Sequence, residues 1–295
     1  MATSSSSLSS FITRCTDVLD EPISRMLLPI MGYEREPLVS LEEAILPIVP
    51  YCNGIEANVR IAKEKCTQSH EGLTVDESAA IYLYTMEFDD RVSLSQILNQ
   101  NLRANNRRNL KPWHLFLKLL LTAFYKLPSS ARIVWRCVPD IDLTPNYSKG
   151  RNVMWWGISS CIGDISVLED EHFLGKNGGG TLFHIECQNS ISITDYSSVK
   201  SKIEEIILLP GLYFRVIDHI TVKKDLHVIH LKEITPTYPL IQPPLFKPTV
   251  LSAHEITPKL AFIAKSKELT SNARPFDEFP VDTSTIDNPS DFCKD

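Results

Sequence analysis

Three polar or charged residue types that could carry chemistry follow one another along the chain, each beside a β-rich run. Arg136 lies in the run Arg132 to Val138. Ser159-Ser160 follow the pair Trp155-Trp156. Glu204-Glu205 open the apolar run Ile206 to Leu209, which stops at Pro210-Gly211. A guanidinium fork suits phosphate oxygens, and a serine hydroxyl can orient a carboxylate. Strands rich in Ile and Leu are normally buried and do not begin with Glu. An acidic residue at the mouth of such a strand is therefore a site candidate. The other reading of Glu204-Glu205 is a solvated strand end. The company of Arg136 and Ser160 tips the balance toward a site.

The elements that must hold these residues change character midway. Leu41 to Cys66 reads as two helical segments, the first interrupted by Pro47 and Pro50. Thr74-Val75-Asp76-Glu77 is a capping box that opens a helix expected to reach about Phe88. Ser93 caps the next. Pro112 suits the first turn of a helix running to about Lys126, with Trp113, Phe116, Leu117, Leu120, Leu121 and Phe124 as its apolar stripe. After Pro128 the period becomes strand-like: Arg132–Val138, Val153–Ser160, Thr181–Cys187, Ser190–Ile193, Ile203–Leu209, Leu212–His219 and His227–Glu233. Helices first and strands afterwards indicate an α+β fold.

Composition sets bounds. The chain has 295 residues, 43% hydrophobic and 22% charged, as in an ordinary globular protein. Thirty basic against 36 acidic residues give a net charge of −6, which argues against a nucleic-acid partner. The serine-rich start, Met1 to Ser10, reads as no signal peptide, and the apolar stretch Leu115 to Tyr125 is too short for a membrane span. Seven cysteines without a C-x-x-C pair read as reduced thiols in a cytoplasmic protein with no structural zinc.

Other constellations fare worse. His184-Ile185-Glu186 has the H-x-E spacing of zinc deaminases, but no P-C-x-x-C follows and the run reads as a strand. Gly178-Gly179-Gly180 precedes no helix and reads as an inter-strand loop of the kind that borders sites. No G-x-S-x-G elbow is present.

Val134-Trp135-Arg136, then Trp155-Trp156-Gly157-Ile158-Ser159-Ser160-Cys161, then Glu205-Ile206-Ile207-Leu208-Leu209-Pro210-Gly211 resembles the Arg–Ser–Glu order of the arginine-type mono-ADP-ribosyltransferases. Leu73 to Thr85, Leu110-Lys111-Pro112-Trp113 and Leu127-Pro128 are similar to that family's N-terminal lobe. The resemblance spans about Leu41 to Ile234. It implies a helical lobe followed by a split two-sheet β core around an NAD cleft. It also implies transfer of ADP-ribose from NAD to a protein side chain, arginine by default, with release of nicotinamide and no metal. By the same resemblance Glu205 is the carboxylate that stabilises positive charge developing on the ribose. Arg136 would hold the pyrophosphate or the ribose, and Ser160 would orient Glu205. Cys137 and Trp156 join Arg136, Ser160 and Glu205 as cofactor-binding positions.

The pattern departs in places. Ile203 stands two before Glu205, where the family has Glu or Gln to prepare the acceptor, and strand alternation turns Glu204 to the opposite face. Cys137 replaces a usual glycine, and Ser160-Cys161-Ile162 keeps only the first serine of Ser-Thr-Ser. Two alternatives follow: an NAD glycohydrolase with water as acceptor, and a catalytically silent NAD- or protein-binding fold. The expected organisation is a flexible lead-in over 1–40, a catalytic domain over 41–235 (helical lobe 41–128, β core 129–235) and a disordered, proline-containing tail over 236–295.

Overall fold

The computed structural model describes residues 11–67, 72–88, 93–166, 179–199, 203–223 and 225–244. All belong to one unit, Met1–Lys247; the second, Pro248–Asp295, lies outside the described residues, as does most of the expected tail. The helices are α1 (11–16), α2 (Leu41–Ile45), α3 (Ile55–Lys65), α4 (Val75–Thr85), α5 (Leu94–Arg103) and α6 (His114–Lys126). The strands are β1 (Ser129–Pro139), β2 (Asn152–Trp155), β3 (Ser159–Ile162), β4 (Gly180–Ser192), β5 (Glu205–Leu208), β6 (Leu212–Lys223) and β7 (Leu226–Glu233). The fold is α+β.

Helix starts follow local chemistry. Ser40, Thr74 and Ser93 each cap a helix and receive the reciprocal contact from Glu43, Glu77 and Gln96. Two expected boundaries move. Helix α4 ends at Thr85, not Phe88, because the Thr85 hydroxyl donates back to the carbonyl of Tyr82 (2.9 Å) and Met86 turns extended. Helix α6 starts at His114, not Pro112. Pro112, which has no N–H to donate, sits inside a preceding 3-10 segment, Arg107–Trp113. The α6 stripe lies in the helical core with Trp113, Leu98 and Leu102. Each such fully buried side chain contributes roughly 1.5–3 kcal/mol.

The strands follow the order β1-β3-β5-β4-β7-β6-β2, with β1 also paired to β4. The expected split core thus takes the form of two branches sharing β4. In one, β1, β3, β5 and β4 pair in a closed circuit; in the other, β7, β6 and β2 extend from β4. Strand β5, which carries Glu205, is short and flanked on both sides, so all four of its residues are buried.

Of the lead-in expected over 1–40, residues 1–10 lie outside the described residues. From Phe11 the chain is packed: Phe11, Cys15, Val18, Leu27, Ile30 and Tyr33 are all buried. Residues 236–244 also depart from the expected tail, since Leu240 is buried and Ile241 bridges Ile30.

Candidate functional site

Strands β3 and β5 run antiparallel with Ser160 opposite Ile207 and Ile162 opposite Glu205. Ser160 and Glu205 are thus diagonal neighbours on one face. Glu205 is 3% exposed. Its Oε1 accepts from the Ser160 hydroxyl at 3.4 Å and from Arg14 Nη2 at 2.7 Å. Its Oε2 accepts from the Ser197 hydroxyl at 2.6 Å, and its backbone N–H donates to Thr194 Oγ1 at 3.0 Å. The carboxylate is fixed at both oxygens.

Arg136 sits on β1, fully buried, over the ring of Trp155 at 5.2 Å. Its Nε donates to the Cys15 carbonyl (2.8 Å), and its Nη2 to the Arg14 carbonyl (3.1 Å) and to Asp17 Oδ1. Its Nη1 has no hydrogen-bond partner among the described residues. Burial, the largest influence, opposes the charge. The Asp17 carboxylate, with Cys161 and Cys15 nearby, outweighs it and holds the guanidinium above its usual range. A buried arginine with an unused donor suits an anionic ligand.

The groups that meet Arg136 and Glu205 come from a segment that sequence reasoning set aside. Residues 11–16 are helical and Asp17–Asp20 form a 3-10 turn. Arg14 reaches Glu205 and donates from Nη1 to the Thr85 carbonyl at 2.9 Å. Asp17 also accepts from Asn99 (2.6 Å) and pairs with Arg103 (3.1 Å). Glu21 accepts from the backbone N–H groups of Trp156 (2.6 Å) and Gly157 (3.0 Å) and from Arg103 Nε (2.7 Å). Gly157 permits that approach, since a Cβ there would lie 3.0 Å from Glu21 Oε1. Beside this segment is a cavity of about 430 Å³ bordered by Val18, Glu21, Arg25, Leu143 and Tyr147; Glu205, Ser160 and Arg136 do not line it.

Of the expected site residues, Glu205 and Ser160 touch directly, and Arg136 joins them through Arg14. Cys137 and Trp156 sit in different surroundings. Alternation along β1 turns Cys137 to the face opposite Arg136, into an apolar cluster with Phe11, Cys15 and Ile162, where burial pushes its thiol up to about 12. The Trp156 indole is buried in the helical core, donating to the Arg25 carbonyl (3.3 Å) under Arg107 (4.6 Å). Its backbone rather than its ring contacts Glu21. Ile203, 8% exposed, packs with Phe11, Cys15 and Val199. Glu204 points outward to Arg132 at 2.7 Å. His184 and Glu186 lie in β4, His184 meeting the rings of Trp135 and His230 edge to face, as the strand reading expects. Among the described residues no group of three or more His, Cys, Asp or Glu is placed to hold a metal, and no helix is long and apolar enough to cross a membrane.

Sequence reasoning missed Ser197, Arg14, Asp17 and Glu21. Phe11, Arg14, Cys15 and Val18 stand at i, i+3, i+4 and i+7, the spacing of one helical face, and that signal was readable. Ser197 carries none; it sits in the turn before β5 and reaches Glu205 only through the fold.

The NAD:arginine ADP-ribosyltransferase family model matches residues 55–237. The chain belongs to this family of NAD-using transferases. No curated protein matches the sequence. Solved structures similar in fold include the Vis toxin of Vibrio splendidus, 17% identical, covering 73% of this chain and 99% of that one, TM-score 0.42. HopU1 of Pseudomonas syringae is 15% identical, with 79% and 99% covered and TM-score 0.46. Exoenzyme S of Pseudomonas aeruginosa, solved with human 14-3-3 protein beta and carba-NAD, is 16% identical, with 73% and 95% covered and TM-score 0.45.

Proposed function

We propose that this protein is a mono-ADP-ribosyltransferase that cleaves NAD at Glu205 and passes ADP-ribose to the guanidinium of an arginine on a protein. The observation that carries this reading is the Glu205 carboxylate. It is buried, and its two oxygens are held separately by Ser160 and Ser197. A carboxylate fixed in a water-poor site stabilises developing positive charge without having to reorganise. Arg136, with Nη1 unused among the described residues, supplies a donor for the phosphates of NAD. NAD fits this set: one anchored cation for its anionic half and one anchored anion for its ribose. Ser160 and Ser197 keep the Glu205 oxygens aimed.

The guanidinium acceptor draws support from the matching family model, that of the NAD:arginine ADP-ribosyltransferases. A second reading, NAD glycohydrolysis, is favoured by Ile203, whose apolar packing supplies no base for a protonated guanidinium. The products separate the two. Incubation with NAD and agmatine, read by mass spectrometry, should yield ADP-ribosyl-agmatine and nicotinamide. Free ADP-ribose at the same level with and without agmatine would replace transfer with hydrolysis. Absence of either product at millimolar NAD would overturn both.

A further inference from the structure

We propose that residues 11–21 are a built-in occupant of the cleft, and that this segment must withdraw before NAD can enter. The inference rests on the reading of Glu205 and Arg136 as the NAD site.

Charge matching is the first observation. Among the described residues facing the segment are a buried anion, Glu205, and a buried cation, Arg136. The segment answers each with its opposite: Arg14 on Glu205 at 2.7 Å, and Asp17 on Arg136. Arg14 and Asp17 are three residues apart, about one helical turn, so they project from neighbouring points of a single short stretch. Asp17 places an anion where a phosphate would bind. Arg14 places a cation where positive charge would develop on the ribose. The segment therefore copies the charge layout of the substrate.

Occupancy is the second. Arg14 is 2% exposed and Arg136 is 0% exposed. Two backbone carbonyls of the segment, at Arg14 and Cys15, also take donors of Arg136. A dinucleotide cannot reach these groups while the segment is seated.

The third concerns what holds the segment down. Much of its grip is ionic: Arg14 to Glu205, Asp17 to Arg136 and Arg103, Glu21 to Arg103. Buried ion pairs roughly break even against the cost of removing the charges from water. The helical backbone described over 11–16 is too short to persist alone, so its order depends on docking. Phe11, Cys15 and Val18 supply the apolar anchors. Such a segment can be exchanged for a ligand that offers Glu205 and Arg136 equivalent partners. The apparent affinity for NAD is then the intrinsic one multiplied by the fraction of molecules with the cleft open.

The test is binding of carba-NAD, a non-cleavable analogue, to the full chain by calorimetry, in the parent, Arg14→Gln and Asp17→Asn. Asp17→Asn keeps an oxygen for Arg103 and Arg136 while removing the charge, and circular dichroism checks that each variant is folded. Hydrogen exchange over residues 11–21 is followed in the parent with and without carba-NAD, which needs no variant. The expected result is at least a tenfold tighter apparent Kd in both variants, and faster exchange of the segment in the parent when carba-NAD is added. Equal Kd in all three proteins with unchanged exchange would overturn the occupant while leaving the NAD site intact. Binding to none of them would overturn the NAD site and the occupant together.

Discussion

Arg14 Nη2 and Glu205 Oε1 lie 2.7 Å apart across 191 residues of sequence, both side chains buried. The contact ties helix α1 to the carboxylate on which the family's chemistry would depend. It also gives Glu205 a third partner beside its two serines.

Ser197 is expected to matter as much as Ser160. It donates to Glu205 Oε2 at 2.6 Å and accepts from the Val199 N–H at 3.1 Å. A hydrogen bond to a charged group contributes about 1.5–3 kcal/mol, so Ser197→Ala should slow nicotinamide release by roughly 10- to 100-fold. Steady-state kinetics should place the loss in kcat, and circular dichroism checks that the variant is folded. Ser197→Thr, which keeps the hydroxyl, should recover part of the rate.

Glu204 and Glu205 should separate cleanly. Glu204 is partly exposed and paired with Arg132 at 2.7 Å. Pairs of this kind contribute at most about 1 kcal/mol. Glu204→Gln should keep both activity and stability, as read by nicotinamide release and by chemical unfolding. A loss of activity in this variant would move the working carboxylate one residue upstream.

The three cysteines around the N-terminal segment are expected to be inert. Burial pushes the Cys137 and Cys161 thiols up to about 12 and raises Cys15 well above the usual range. The thiolate is the reactive form, so iodoacetamide at pH 7.5 should leave all three unmodified. Alkylation followed by peptide mass mapping checks this. Addition of carba-NAD should make Cys15, which rides on the segment, the first to react.

Acid should weaken the fold through His184. Burial, then the nearby His230 ring at 4.4 Å, holds its pKa below the usual histidine range. The neutral ring is favoured in the folded state, so the unfolded chain takes up the proton first as pH falls. Stability from this group is full above about pH 6.5 and declines below it. His114, lowered mainly by burial, acts in the same sense. Thermal midpoints between pH 7.5 and 5.5 should fall more steeply in the parent than in His184→Gln.

Much of the site was legible because strand chemistry is local. Glu205 at the head of an apolar run, the serine pair after two tryptophans and an arginine within a β-rich run each announce themselves within a few residues. Alternation alone turned Glu204 outward. What was not legible depended on long-range docking. Serine-rich residues at the start of the chain suggested a loose lead-in, and that impression hid the apolar face of Phe11, Cys15 and Val18. Trp155 and Trp156 part company because adjacent residues on an extended run face opposite ways. Trp155 took the side under Arg136, and Trp156 took the helical core. Ser197 lies in a turn, where side-chain direction follows no sequence period.

The most direct measurement is the rate of nicotinamide release from NAD by the full-length parent and by Glu205→Gln, at saturating NAD with agmatine present. The expected result is turnover in the parent and a fall of at least roughly 100-fold in the variant, with circular dichroism checking that the variant is folded. Equal rates in the two proteins would contradict the assignment of Glu205 and with it the proposed chemistry of the cleft.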